Sequence, residues 1–146
     1  MIVPVTKETE KIWAELCVAL WPDDTIDSFI QYGRKTSYKN VYLYFLEEEA
    51  VACLWISLRY DYVEGTDSHE KSLPVGYLEG IYVKPEFRKQ GIAQKLVEFA
   101  KEWAIEKGCL EFASDCDLDN DESRNFHNKI GFEEASKNVH FTMKLR

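Results

Sequence analysis

Apolar residues change their spacing several times along the chain, and each change marks the boundary of a predicted element. A spacing of three to four residues is typical of an amphipathic helix, whereas runs of β-branched and aromatic residues are typical of strands. The predicted order of strands and helices along the chain is β-α-α-β-β-β-α-β-α-β-β, which indicates an α/β (α+β) fold. The predicted strands are residues 1–5, 41–47, 50–59, 75–83, 110–114, 132–135 and 139–145, and the predicted helices are residues 8–20, 24–33, 90–107 and 123–130.

The strand at residues 75–83 is predicted to lie at the centre, because it is apolar on both pleat faces. Glu79-Gly80 interrupts it, and glycine in such a strand often marks a bulge or the close approach of a ligand. The strand, helix and strand from Val75 to Ser114 predict a parallel, right-handed crossover. No internal repeat or boundary is visible, so we expect residues 1–146 to form a single domain.

The start of the second helix follows the break at Trp21-Pro22, and Asp23 or Asp24 is predicted to cap it.

The net charge of −8 narrows the choice of partner. It argues against nucleic acid, because phosphate backbones need a basic face, and it favours a cationic partner. Many of the acidic residues fall in three predicted connections, at residues 23–24, 61–67 and 115–121. No apolar run is long enough to cross a bilayer and the N-terminus lacks the zones of a signal peptide, so we expect a cytoplasmic protein without membrane contact.

Cysteine and histidine give no sign of a metal site. The four cysteines have no CxxC spacing and lie in or beside apolar segments, so we expect reduced thiols in or near the core. The three histidines are scattered, and no metal is predicted. The acidic run from Asp115 begins like a calcium loop, but Asn120 stands where that loop needs glycine and Phe126 where it needs glutamate.

A basic, glycine-containing turn follows the central strand. Arg88 and Lys89 precede Gly91 where the third helix is predicted to begin. Free backbone N–H groups at a helix N-terminus bind anions, and basic residues there would otherwise oppose the helix dipole. The turn is therefore predicted to hold the pyrophosphate of a nucleotide-type cofactor. The alternative is a solvated helix flank in which Gly91 only permits close packing.

The segment from Val83 to Ala93, with Arg-x-x-Gly-x-Ala between strand and helix, resembles the acyl-CoA motif of the GCN5-related N-acetyltransferase (GNAT) superfamily. Asn-Lys-Ile-Gly-Phe at residues 128–132 matches the second motif of that family. The resemblance implies a GNAT fold, with a mixed central sheet splayed at the cofactor cleft, and acetyl-CoA as cosubstrate. The residues implied to contact acetyl-CoA are Ile81, Tyr82, Val83, Arg88, Lys89, Gln90, Gly91, Ile92, Ala93, Gln94 and Asn120.

Five further segments are similar to the aminoglycoside 6′-N-acetyltransferases, nearly along the whole chain. They are residues 20–21, 62–66, 78–83, 111–115 and 118–120. The similarity implies acetyl transfer to the 6′-amine of an aminoglycoside by direct attack in a ternary complex, and hence antibiotic resistance. Aminoglycosides are polycationic, which agrees with the acidic charge of the chain. The residues implied to contact the antibiotic are Trp21, Tyr62, Glu79, Asp115 and Ser136.

The resemblance also implies catalytic roles for Glu79 and His127. Glu79 would bind the attacking amine, directly or through water, and help to remove a proton. His127 stands where the wider superfamily commonly has tyrosine, and it either protonates the departing thiolate or only packs.

The binding roles have alternatives too. Trp21 offers a face to a sugar ring or closes the core at a helix end, and Asp115 anchors a second ammonium group or caps a loop. Ser136 replaces a residue that is often acidic in the family, and Glu134 is the candidate to compensate for it.

Two other functions also fit the sequence. The same acidic cleft suits an acetyltransferase for polyamines or protein amines, and the anion site alone suits a CoA-binding regulatory domain without turnover. The resemblance further implies a homodimer.

Overall fold

The computed structural model describes all of residues 1–146, and its five strands form one sheet in the order β1-β2-β3-β4-β5. Neighbours from β1 to β4 are antiparallel, and β4 and β5 are parallel. The parallel connection predicted between residues 75 and 114 is therefore confirmed, and it runs through a helix. The elements are β1 (Ile2–Pro4), α1 (Glu10–Leu20), α2 (Ile26–Lys35), β2 (Val41–Leu46), β3 (Glu49–Arg59), β4 (Val75–Val83), α3 (Ile92–Glu106), β5 (Phe112–Ser114) and α4 (Asp121–Ile130), with short 3₁₀ helices at Ser68–Lys71 and Pro85–Phe87.

The hydrophobic core has two layers, one on each face of the sheet. Leu43 packs in the layer that α1 and α2 cover, while the next residue, Tyr44, packs in the layer that α3 covers. Successive side chains of a strand point to opposite faces, so this alternation follows from the strand geometry. Coverage on both faces explains why β4 is apolar on both faces. None of the four helices combines the length and the apolar character needed to cross a membrane.

The start of α2 corrects one prediction. Thr25 is the N-cap, rather than Asp23 or Asp24. The Thr25 hydroxyl accepts a hydrogen bond from the Ser28 N–H at 3.0 Å, and the Ser28 hydroxyl accepts one from the Thr25 N–H at 3.2 Å. This reciprocal pair satisfies two N–H groups that the helix itself leaves free, which a single aspartate cap does not do.

The two strands predicted at residues 132–135 and 139–145 are wrong, because the chain forms no regular structure after α4. A strand needs a neighbour for its backbone N–H and C=O groups, and no segment of this chain pairs with residues 132–146. The alternating apolar side chains remain, but they face solvent. Val139, Phe141, Met143 and Leu145 are between 76% and 89% exposed.

Candidate active site

The pairing of β4 with β5 stops partway along β4, and we call the region beside the unpaired part of β4 the cleft. Residues 76–78 of β4 pair with residues 112–114 of β5, whereas β4 continues to Val83. The backbone of Ile81, Tyr82 and Val83 therefore has no strand partner on the β5 side. This arrangement confirms the predicted splay of the sheet, and it leaves a strand edge to which an extended ligand can bind by backbone hydrogen bonds.

Six consecutive backbone N–H groups follow β4, at residues 89–94, and none donates to an acceptor in the chain. The backbone is left-handed at Lys89, with φ of 63°, and again at Gly91, with φ of 81°, just before α3 begins. Such turns curve successive N–H groups into a concave anion site, and the helix N-terminus adds partial positive charge. We call residues 89–94 the amide nest. It contains Gln90, Ile92, Ala93 and Gln94 besides the two residues named above.

Arg88 is held beside the amide nest by contacts of its own side chain. Its Nε donates to the Val83 carbonyl at 2.8 Å, and its guanidinium lies 5.5 Å from the Tyr82 ring centroid. One terminal nitrogen lies 3.5 Å from a Glu122 carboxylate oxygen. The positive charge is therefore fixed at the end of β4, next to the unpaired strand edge.

A β-bulge places Glu79 at the point where the cleft opens. Trp55 of β3 lies opposite Gly80, and Ile56 lies opposite Leu78, so Glu79 has no residue opposite it. A bulge redirects the side chain of the extra residue and often occurs at functional sites. The interruption that the sequence predicted at Glu79-Gly80 is confirmed.

The Glu79 carboxylate has two partners on β3, which the sequence analysis missed. The Ser57 hydroxyl donates to Oε2 at 2.5 Å, and Arg59 donates to both carboxylate oxygens, with its Nη2 2.9 Å from Oε1. Ser57 and Arg59 are two residues apart on one strand, so they share a face. The two-residue spacing of Ser57 and Arg59 is visible in the sequence. It points to Glu79 only when the β3–β4 register is known.

Asp115 joins the same group of side chains through Tyr77. The Tyr77 hydroxyl donates to the Asp115 carboxylate, and the Arg59 guanidinium carbon lies 3.4 Å from the Tyr77 ring centroid. Burial raises the pKa of the Tyr77 hydroxyl, and the hydrogen bond to Asp115 raises it further. Burial by itself lowers the pKa of Arg59, but its hydrogen bonds to Glu79 and the charge of that carboxylate outweigh burial, so the pKa rises. The structure thus links Glu79 and Asp115 through one arginine and one tyrosine.

Trp21 lies on the other side of the bulge, over Gly80. It ends α1, stacks on Phe29 with ring centroids 5.9 Å apart, and meets Trp55 edge-on at 5.7 Å. A Cβ added at Gly80 would lie 2.3 Å from the Trp21 ring, so only glycine permits this contact. Trp21 is half-buried and packs against the core at the end of the helix.

Gly80→Ala is accordingly expected to lower the free energy of unfolding by about 1–3 kcal/mol, because the methyl group forces Trp21 out of its position. The clash involves the outer carbons of the six-membered indole ring. Trp21→Phe in the same background should therefore recover part of the loss. Urea unfolding followed by circular dichroism measures both changes, and a Gly80→Ala protein as stable as wild type would contradict the packing described here.

The loop between β3 and β4 carries Tyr62 and borders the chain after α4. Tyr62 is 56% exposed and contacts His69 edge-on, with ring centroids 5.1 Å apart. The Ser136 hydroxyl donates to a Glu64 carboxylate oxygen at 3.1 Å, so Ser136 contacts this loop instead of Glu79 or Asp115.

Glu134, the candidate to replace the acidic residue that is missing at Ser136, already forms ion pairs with other residues. Its carboxylate pairs with Arg124 of α4 at 3.0 Å and lies 3.6 Å from the Lys137 amine. The Arg124 guanidinium lowers the pKa of Glu134.

His127 and Asn120 lie on α4, near the end of the β4–β5 pairing. His127 Nδ1 is 2.7 Å from the Ser123 carbonyl, which can only accept, so this nitrogen carries the hydrogen. His127 Nε2 is 2.8 Å from the Ser114 hydroxyl, which also lies 3.2 Å from the Leu78 carbonyl. The Asn120 carbonyl oxygen caps α4 by accepting from the Ser123 N–H at 3.1 Å, so its amide N–H₂ is the part left to contact a ligand.

Comparison with known proteins agrees with this geometry. Residues 6–132 match the model of the acetyltransferase (GNAT) family. An aminoglycoside N(6′)-acetyltransferase type 1 from Acinetobacter haemolyticus is 38% identical over 146 residues, which cover 99% of this chain and 98% of that protein. The crystal structure of an aminoglycoside antibiotic 6′-N-acetyltransferase from the same organism superimposes with a TM-score of 0.90 at 38% identity, covering 100% of this chain and 99% of the other.

A further solved structure contains a ligand. The enzyme AAC(6′)-Iy, in complex with the bisubstrate analog CoA-S-monomethyl-acetylneamine, superimposes with a TM-score of 0.87 at 31% identity, covering 99% of this chain and 97% of the other. The fold, the amide nest and the matches over nearly the whole length agree with one another. The chain therefore belongs to the acetyltransferase (GNAT) family.

Proposed function

We propose that this protein transfers the acetyl group of acetyl-CoA to the 6′-amine of aminoglycoside antibiotics and thereby confers resistance to them. The observation that carries the proposal is that a region suited to an anion and a region suited to a cation lie along the same cleft. The amide nest at residues 89–94 suits an anion, whereas Glu79 and Asp115 at the bulge suit a cation. The relatives of similar length that bear the name of this activity support it further.

Acetyl-CoA is proposed to lie across the splayed part of the sheet. The amide nest and Arg88 hold the pyrophosphate, and the unpaired backbone of residues 81–83 holds the pantetheine arm. Asn120 contributes its amide N–H₂ from α4. A backbone N–H group at the splay polarises the acetyl carbonyl, which favours attack by an amine.

Glu79 is proposed to receive the attacking amine. Its Oε2 accepts from Ser57 and Arg59, whereas Arg59 is the only donor to its Oε1, so Oε1 is the oxygen at which the amine binds. A carboxylate at that position orients the amine and takes up a proton, directly or through water. Asp115 holds a second ammonium group, and Trp21 and Tyr62 border the sugar rings.

His127 is proposed to supply the proton that the departing thiolate needs. Its Nε2 contacts the Ser114 hydroxyl, which lies at the last paired residue before the cleft. Nδ1 keeps its hydrogen bond to the Ser123 carbonyl, so the proton comes from Nε2 of the doubly protonated imidazolium; it passes to the Ser114 hydroxyl, which gives its own hydrogen to the thiolate. Ser136 is proposed to act on the antibiotic indirectly, by holding Glu64 of the loop that carries Tyr62.

Thiol release from acetyl-CoA tests the proposed function against its alternatives. Kanamycin or tobramycin, spermidine and a lysine-containing peptide serve as parallel acceptors. Turnover with the aminoglycosides at least 10-fold above the other two is the expected result. A preference for spermidine or the peptide would support the alternative acetyltransferases. CoA binding without turnover of any amine would support a regulatory domain.

The protein is further proposed to act in the cytoplasm as a homodimer, without nucleic acid or membrane partners. The sheet ends at β5, whose outer edge has no strand beside it, and the segment after α4 has a strand pattern without a partner. Each copy thus offers both an open edge and an unpaired apolar segment. Pairing between two copies satisfies both, and it buries side chains that one copy leaves exposed.

Replacing Phe141 and Met143 by glutamate is expected to convert the dimer to a monomer. Both side chains belong to the apolar face of the segment, and a buried, unpaired carboxylate opposes association. Light scattering after size-exclusion chromatography measures the molar mass. The matched control replaces Thr142 and Lys144, which alternate with them, by glutamate and should remain dimeric. Equal molar masses for the two double variants would contradict an apolar interface at this segment.

A further inference from the structure

Arg59 lies inside the group of side chains that is proposed to bind the acceptor, although it carries the same charge as the acceptor. It ends β3, and its side chain is 42% exposed. Its guanidinium binds both oxygens of Glu79 and lies against the face of Tyr77, the residue whose hydroxyl binds Asp115. One positive side chain therefore contacts one of the two acceptor carboxylates directly and the other through Tyr77.

We propose that the Arg59 side chain competes with the acceptor for Glu79. It occupies the ammonium position at Glu79 in the free enzyme and leaves it when a polycationic acceptor binds. This inference rests on the proposed function, and it concerns which amines the site selects.

An orienting role for Arg59 is not needed, because Glu79 has another partner. Ser57 donates to Oε2 at 2.5 Å from the same face of β3, and the bulge fixes the backbone of Glu79. These two constraints hold the carboxylate when Arg59 departs. The Arg59 side chain has room to move, because β3 ends at this residue and the exposed residues 60–62 follow it.

Competition by Arg59 weakens every acceptor by the same factor, so only an acceptor that makes further contacts binds well. An acceptor with one ammonium group gains one carboxylate contact and displaces one, so its net gain is small. An acceptor with several ammonium groups also reaches Asp115, so it replaces the lost ion pair and gains a second one. Because an exposed ion pair is weak and a charged hydrogen bond is stronger, we expect Arg59 to reduce acceptor affinity by about 5- to 20-fold.

Arg59→Met tests the proposal, since methionine keeps much of the length and removes the charge. Calorimetric titration with tobramycin, without acetyl-CoA, should give a Kd about 5- to 20-fold lower than that of wild type. The Kd for glucosamine, which has a single amine, should fall by a similar factor, because displacing Arg59 costs every acceptor the same free energy. Lys101→Met is the matched control, because it removes one charge from an ion pair with Glu98 on α3 and should leave both Kd values within about 2-fold.

A second measurement follows Arg59 itself in the wild-type protein. The ¹⁵N resonance of its Nε–H group, assigned by comparison with Arg59→Met, should show slow hydrogen exchange in the free protein and fast exchange with tobramycin bound. Weaker or unchanged tobramycin binding by Arg59→Met would overturn the proposal, as would a protected Nε–H in the complex. If wild type acetylates tobramycin in these cases, the proposed function stands and only the role of Arg59 falls. Wild-type protein that neither binds nor acetylates tobramycin would overturn both.

Discussion

Glu79→Gln is expected to lower kcat/KM for the acetylation of tobramycin by about 100-fold, while the Kd for CoA changes by less than about 2-fold. Glutamine has nearly the shape of glutamate, but it cannot take up a proton and it carries no charge for an ammonium group. Proton transfer by a positioned side chain contributes roughly 10²- to 10⁴-fold to enzymatic rates, and a 100-fold loss lies at the lower end of that range. Steady-state thiol release and calorimetry with CoA measure the two quantities.

The control for Glu79→Gln is Glu49→Gln. Glu49 is the first residue of β3, at the end of that strand far from Arg59. Glu49 is 3.2 Å from the Lys84 amine, and its side chain is 56% exposed. Its replacement removes a carboxylate and an ion pair without touching the bulge, so kcat/KM should remain within about 2-fold of wild type. Equal losses of turnover and of CoA affinity in Glu79→Gln would show that Glu79 supports the fold of the cleft instead of the chemistry.

The parts of the site that the sequence predicted are those that depend on neighbouring residues. The amide nest needs only a turn, a glycine and a helix start within residues 88–94, and all of these are consecutive. The bulge at Glu79 likewise follows from a carboxylate and a glycine inside one apolar strand. Local backbone geometry determines both features, and local sequence is sufficient to predict them.

The features that the sequence did not predict depend on distant pairing. Ser57 and Arg59 meet Glu79 because β3 and β4 have one particular register, and that register contains the bulge itself. A shift by one residue would turn Arg59 to the opposite face of the sheet, and the periodicity of a single strand does not fix that shift. The strands predicted after residue 131 were wrong for a related reason, since an alternating pattern indicates a strand but does not supply its partner.

The cleft therefore has two charge environments that arise from different levels of structure. Free backbone N–H groups form the proposed anion site, with the Arg88 guanidinium beside them. Carboxylate side chains form the proposed cation site, where Arg59 pairs with Glu79. Substitutions of side chains near the bulge should mainly change the choice of acceptor, whereas changes to the backbone of the amide nest should mainly change the affinity for CoA.

Gly91→Asp is expected to raise the Kd for CoA by at least about 100-fold. A Cβ at this position meets no atom within 4 Å, so the side chain enters open space beside the free N–H groups instead of the core. A carboxylate about 4 Å from a phosphate costs roughly 4 kcal/mol at the dielectric of a protein surface, of which counterions remove a part. The left-handed backbone also strains a side chain here, by about 1–2 kcal/mol.

Gly108→Asp separates the strain from the charge. Gly108 follows the other end of α3, with φ of 87° and no atom within 4 Å of an added Cβ, so the same substitution meets the same backbone constraint in equally open surroundings. Both variants should lose a small amount of unfolding free energy, somewhat more in Gly108→Asp because its carboxylate lies at the negative end of the α3 dipole, and only Gly91→Asp should lose affinity for CoA in calorimetric titration. A similar loss of affinity in both variants would show that helix stability, and not the amide nest, controls CoA binding. Full affinity in Gly91→Asp would mean that the pyrophosphate binds elsewhere.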